Sequence, residues 1–279
     1  MNNLLVETYE NDNYKLEIHV DDIPWDPREG HNLGTMICHH KIYDIGDKQI
    51  KNFHRYEDWW GVLISELSWE FDVYEKDLQT EEEREELLDR IVFLPISMYE
   101  HSNIRLSPNS RNQVGWLYCS KEKAVKQTGY TAKELYAGTR DRQPEVGEHI
   151  KIEDYDRYGV IENIKDNILT VNFDYHKSPK SRNDNNIVEI TPDEIQEVMA
   201  YRLKEMLKNE LQTYDKYVSG EVYRFKFYKK EKCEDCGHIN KELIDSCGSF
   251  YGYDIKKNGM IHELPKEGQK LIEEQKVVA

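Results

Sequence analysis

The chain has 279 residues, enough for one large domain or two modest ones, and its 38% hydrophobic content, 19 tyrosines and 5 tryptophans exclude wholesale disorder. Acidic residues outnumber basic ones 54 to 38, a net charge of −16, which argues against direct nucleic-acid binding and suits a basic partner, such as the nucleic-acid groove of another protein. No apolar run approaches the ~20 residues of a membrane span, Met1–Glu7 lacks the basic start and apolar stretch of a signal peptide, and five uneven cysteines make no disulfide framework; the expectation is an intracellular protein away from membranes.

The first predicted element is a hairpin, Leu5–Tyr9 and Tyr14–Val20 around the turn trio Asn11, Asp12 and Asn13. A turn-rich stretch from Ile23 to His31 follows, then a strand over Thr35–His39 and a turn at Ile45–Asp47. From Glu57 to Asp89 the pattern is helical. Trp60, Leu63, Leu67, Phe71, Tyr74 and Leu78 recur at three- and four-residue steps and mark one buried stripe. Thr80, with the glutamates after it, predicts a capped second helix through Leu88. Strands are predicted over Ile91–Tyr99, where Pro95 favours an edge or bulge, and over Gln113–Cys119, with Ser120 capping a helix at Lys121. A further helical piece is predicted from Thr131 to Tyr136.

Between 143 and 190 the pattern changes to short alternating strands: Gly147–Ile152, Tyr158–Ile164, Ile168–Asp174 and Asn186–Ile190. This segment resembles the small SH3-like barrels of the KOW and Tudor type, and it reads as a module inserted into a larger domain. Thr191, Pro192 and Glu194 then predict the start of a long helix that Gly220 stops. Glu221–Tyr228 and Glu242–Cys247 predict a second hairpin, and a short polar helix that frays is expected from Pro265. The fold class is thus α+β, a mixed or antiparallel sheet with packed helices plus an inserted β-barrel. Its parts are a main domain over 1–142 and 191–279, with the insert at 143–190 between them.

Cys233, Cys236 and the following Gly237 have the form of a zinc knuckle, two thiolates converging on one ion with glycine relieving the turn. A closed site needs four ligands; His238 and Cys247, or His262 folding back, are the candidates to complete one structural zinc, against free thiols and no cofactor at all. Cys38, His39 and His40 invite a nucleophile or metal reading, but alternation along a strand sends Cys38 and His40 to one side and His39 to the other. No hydrolase elbow, phosphate loop or dinucleotide fingerprint is present. Lys177–Arg182 is the most basic loop.

Four further blocks are specific. Asp26–His39 running on to Asp47 and Gln113–Lys123 resemble the N-terminal and middle blocks of a family of uncharacterised accessory proteins of tailed bacteriophages, and Glu210–Tyr223 and Asp245–Gly252 resemble its C-terminal blocks. That family usually carries Trp after its last cysteine, where Gly248 stands here. The resemblance implies an accessory phage product acting in the host bacterial cytoplasm. Acidic proteins of that kind without an enzyme motif are often inhibitors of host defence complexes, including restriction, CRISPR and Gabija-type systems. The expected function is inhibition of such a complex by protein–protein interaction, with homo-oligomers left open. The rivals are a metal-dependent hydrolase using Cys38, His39 and His40, and a phage replication or structural accessory protein.

The segment from Glu57 to Asp89 holds thirteen acidic residues against Lys76 and Arg84, a self-repulsion that solubility alone does not require. Glu66, Glu70, Asp77, Glu82 and Glu86 are therefore expected on a surface that meets the partner, with Trp25 as an aromatic anchor on a loop.

Overall fold

The structure is a computed structural model that describes every residue except 1–3, 57, 75–77, 79, 102, 133–134, 136–143, 145, 154, 156–157, 174–185, 199–200 and 277–279. The chain divides into two compact units. Unit 1 comprises Met1–His31, Met98–Ser107 and Leu211–Ala279, and unit 2 comprises Asn32–Ser97 and Pro108–Glu210.

In chain order the strands and helices begin with β1 (Leu5–Glu10), β2 (Tyr14–Val20), β3 (Thr35–Cys38) and β4 (Lys48–Gln49). Helices α1 (Trp59–Glu70) and α2 (Glu81–Asp89) follow, then β5 (Ile91–Glu100), β6 (Ile104–Ser107), β7 (Gln113–Ser120) and α3 (Lys121–Thr128). Next come β8 (His149–Lys151), β9 (Gly159–Lys165), β10 (Ile168–Asn172), β11 (Ile187–Ile190) and β12 (Glu197–Val198). The chain closes with α4 (Tyr201–Val218), β13 (Val222–Lys232), β14 (Ile239–Tyr251), α5 (Met260–Glu263) and α6 (Lys266–Lys276). The α+β class holds, with three sheets.

Unit 1 is built on an antiparallel sheet in the order β1-β2-β13-β14. The opening hairpin forms as its sequence predicts, and the Asn11 side chain accepts from the backbone N–H groups of Asn13 and Tyr14 to set the turn. Alternation puts Leu16, Ile18, Phe225 and Phe227 on one face, where they meet Leu271 and Ile272 of α6 in one core. The C-terminal segment is therefore not a fraying polar helix. Its two apolar residues are each 1% exposed, and that pair is enough to dock an otherwise charged helix. At the edge of this unit Arg105 pairs with Glu221 and with Asp215 (3.4 Å), while Lys216 reaches Glu221 at 2.7 Å.

Those partners, Arg105 first, hold the Glu221 carboxyl at about 2, below its ordinary 4.5. A depressed carboxylate contributes stability that is complete above 4.5 and is lost as pH falls towards 2. Arg105 is partly exposed, so the pair is worth about 1 kcal/mol at most. Glu221→Gln is expected to lower the melting temperature at pH 7, with the gap to wild type closing between about pH 5 and 2. Thermal scans across that range check it; a gap independent of pH would assign the loss to packing instead.

Unit 2 holds strands in the order β4-β3-β7-β5, with β5 belonging to it as far as Ser97. Helices α1 and α2 cover this sheet through Val62, Leu63, Leu67 and Leu87, against Ile37, Ile91 and Trp116. Pro95 stands opposite Trp116 and the ladder shifts register one residue later, between Ile96 and Ser97, as a proline in this strand suggests. Ser120 caps α3 by accepting from Lys123 N–H at 3.2 Å, and Gly129 ends that helix at φ +73°. Of the predicted piece from Thr131 to Tyr136, Thr131, Ala132 and Leu135 are described; Leu135 is buried and its N–H bonds Thr131 O at 3.1 Å, the spacing of a helical turn.

The third sheet, also in unit 2, runs β11-β10-β9-β8-β12 with every pair antiparallel. Its own core gathers Ile150, Ile161, Leu169, Val171, Phe173 and Ile190. The capping box at Thr191 forms, Glu194 bonding back to Thr191 N–H at 2.7 Å, yet it opens only a single 3₁₀ turn. Glu197 and Val198 then pair with Lys151 and Ile150, and the long helix starts at Tyr201. The sheet thus takes its last strand from beyond residue 190.

Candidate functional site

The acidic surface is made by α1 and α2. Asp58 opens α1 by accepting from Gly61 N–H at 2.9 Å, and Asp72 closes it with φ +53°, Val73 N–H bonding back to Ser68 at 2.9 Å. Thr80 and Glu83 form a reciprocal capping box at the start of α2. Three glutamates then occupy its first turn, where the unpaired N–H groups of the helix favour negative charge. The inner side of α2 is Leu87, so Glu81, Glu82, Glu83, Glu85 and Glu86 all face solvent.

The predicted stripe is corrected in two places. Leu63, Leu67 and Leu78 are buried, but Trp60 is 46% and Tyr74 67% exposed. The stripe assumed one helical phase, and that phase ends at Asp72, so Tyr74 inherits no direction from it. Trp60 sits at the start of α1 with its ring against Trp116 and Phe93, centroids 4.8 and 5.4 Å away, leaving its remaining surface open. It borders a cleft of about 790 Å³ between α1 and α2 that also carries Arg55, Arg84, Asp58, Glu81 and Glu85.

Of the expected partner-binding residues, Glu70, Glu82 and Glu86 are exposed on this surface. Glu66 is partly committed, taking Lys48 Nζ at 2.8 Å. Asp77 lies outside the described residues. Trp25 belongs to unit 1, 52% exposed. Its backbone is held by Ser249 Oγ (2.9 Å) and the Tyr251 hydroxyl (2.7 Å), and its ring lies over Gly30, where a Cβ would meet it at 2.6 Å. Sequence reasoning missed Trp69, 84% exposed near the end of α1 beside a hollow of about 440 Å³ with Tyr74 and Asp72. The signal was present: two residues beyond Leu67 a helix has turned about 200°, away from the core.

Cys38, His39 and His40 do not assemble. Cys38 is 1% exposed, packed close to Gly46 and Gly115. His39 Nδ1 bonds the Ile50 carbonyl at 2.6 Å with its ring stacked on Phe53, and His40 Nδ1 accepts from Ile42 and Tyr43 N–H. Each ring nitrogen named here is already used in holding a loop. The thiol of Cys119 is pushed up to about 12 by burial, which keeps it un-ionised. Lys177–Arg182 lies outside the described residues.

The cysteine pair stands at the tip of the β13–β14 hairpin. Gly237 turns the chain at φ +72°, its N–H bonding Cys233 O at 2.9 Å, while Cys233 N–H bonds His238 O at 2.8 Å. The backbone N–H of Cys236, the Cys236 side chain and the backbone N–H of Asp235 all address the Cys233 sulfur, which lowers its thiol below the ordinary 9.0. Cys247 does not join them. It pairs with Phe225, whereas the ladder reaches the tip at Lys232 and Ile239. Seven steps along β13 separate the two, about 23 Å at strand rise. The set Cys233, Cys236, His238 and Cys247 therefore cannot close around one ion within a single chain. Among the described residues no three of His, Cys, Asp and Glu are grouped as a metal site. Among the same residues no helix is long and apolar enough to cross a membrane.

No protein-family model matches the chain, and no curated protein or solved structure is significantly similar to it.

Proposed function

We propose that this chain is an acidic binding protein of a tailed bacteriophage that inhibits a bacterial defence complex in the host cytoplasm by covering a basic surface with its α1–α2 side. The observation that carries the reading is the presence of exposed carboxylates on both helices together with Trp69, 84% exposed next to Glu70 on α1. Charge speeds encounter with a basic surface, and a large aromatic ring supplies the anchor that charge alone does not. The sequence blocks at Asp26–Asp47, Gln113–Lys123 and Asp245–Gly252 support the phage origin. The strand order β11-β10-β9-β8-β12, with a 3₁₀ turn before the last strand, supports reading the third sheet as an SH3-like module.

The test is plaquing on hosts that each carry one restriction, CRISPR or Gabija-type system, and on the same hosts without it. Expressing the chain is expected to restore plating on at least one defended host and to leave undefended hosts unchanged. The triple variant Glu70→Lys, Glu82→Lys, Glu86→Lys is expected to fold and to restore plating at least tenfold less well. Restoration equal to wild type would place the interface elsewhere. A benefit on undefended hosts would favour a replication or structural role.

A further inference from the structure

We propose that the tip of the β13–β14 hairpin is half of a tetrathiolate zinc site, completed by the same tip of a second copy of this chain. Cys233 and Cys236 from two chains would then hold one ion between them.

The turn that carries the pair is already built. Gly237 N–H bonds Cys233 O at 2.9 Å, Cys233 N–H bonds His238 O at 2.8 Å, and Gly237 takes the left-handed φ of +72° that the turn needs, all without help from any ion. Cys236 and His238 are exposed, and a Cβ added at Gly237 would meet only the Lys232 side chain, at 3.9 Å. The sulfurs thus sit at an open, protruding turn.

What is missing is ligand number. A structural zinc takes four ligands in a tetrahedron. The chain offers two here, because Cys247 is carried away by the register of the ladder and no third group is grouped with them among the described residues. Two-fold pairing of two tips supplies four sulfurs at once, and such self-complementary contacts are the commonest way identical chains associate. Charge allows it. Residues 229–242 carry four basic and four acidic side chains, so this stretch is neutral within a chain of net charge −16. Elsewhere two copies repel each other; at the tips they meet without that cost. Binding releases the thiol protons, four thiols and one Zn²⁺ giving a site of charge −2, so affinity rises with pH.

The experiment titrates the full-length reduced chain with Zn²⁺, and with Co²⁺ as a spectroscopic probe. Saturation is expected at about one ion per two chains. Tetrathiolate-type cobalt bands and a doubling of solution mass should accompany it, and all three should reverse with chelator. Cys233→Ser and Cys236→Ser should each abolish binding and dimerisation; both residues lie at the exposed tip, so their melting temperatures should match metal-free wild type. Cys247→Ser and His238→Ala should behave as wild type. One ion per chain at unchanged mass, a mixed nitrogen–sulfur spectrum, loss of binding in Cys247→Ser, or no binding at all would each overturn the proposal.

Discussion

Alanine at position 115 is expected to destabilise unit 2 by about 3 kcal/mol or more, lowering its melting temperature by roughly 6–12 °C. Gly115 is buried in β7, with Cys38 of β3 on one side and Ile96 of β5 on the other. A Cβ there would stand 2.3 Å from the Ile37 carbonyl oxygen, 2.8 Å from Cys38 Sγ and 3.1 Å from Cys38 Cα. Two of those three atoms are backbone, so no rotamer change relieves the contact; the strands must separate, and ladder hydrogen bonds stretch with them. The control is Gly61→Ala. Gly61 lies in the first turn of α1, and its nearest neighbour to an added Cβ is 3.7 Å away. There the same methyl meets no obstacle and restricts the unfolded chain, so stability should hold or rise by up to ~1 kcal/mol. Calorimetry of both variants decides it; a Gly115→Ala chain that melts with wild type would mean the close approach of β3 and β7 is relaxed in solution.

Elements dictated by local chemistry were legible from sequence. The turn at Asn11–Asn13, the Ser120 cap and the Thr80 capping box form because a side chain three or fewer residues away satisfies a backbone group. The error at Thr191 has the same origin. Its capping box is real, but those hydrogen bonds serve a single 3₁₀ turn as well as a helix, and pairing of Glu197–Val198 with β8 then decides against the helix. Nothing within ten residues of Thr191 announces that pairing. The zinc ligand set failed for a related reason. Cys233 and Cys236 are neighbours by spacing, whereas Cys247 could be assigned only once the hairpin was known to run from Val222 to Tyr251 without folding back. Trp69 was legible as well, since its position two residues past the buried Leu67 turns its ring away from the inward stripe. An exposed tryptophan is harder to explain by solubility than an exposed glutamate.

Trp69→Ala is accordingly expected to cost more function than reversing Glu70, Glu82 and Glu86. An anchor ring that becomes fully desolvated in a complex commonly contributes 2 kcal/mol or more, about thirty-fold in affinity, and acts mainly on dissociation. Peripheral carboxylates act mainly on the encounter rate, and their effect shrinks as salt rises. Trp69 is 84% exposed, so its removal leaves the core of Val62, Leu63 and Leu67 untouched and the melting temperature within about 2 °C of wild type. On a defended host the variant should therefore restore plating at least tenfold less well than wild type, while remaining as soluble and as stable. Tyr74, across the same hollow, should show a smaller loss of the same kind when changed to alanine. Full restoration of plating by Trp69→Ala would remove the end of α1 from the interface, whatever the charge reversals do, and would turn the search to Trp25, the pinned aromatic of unit 1.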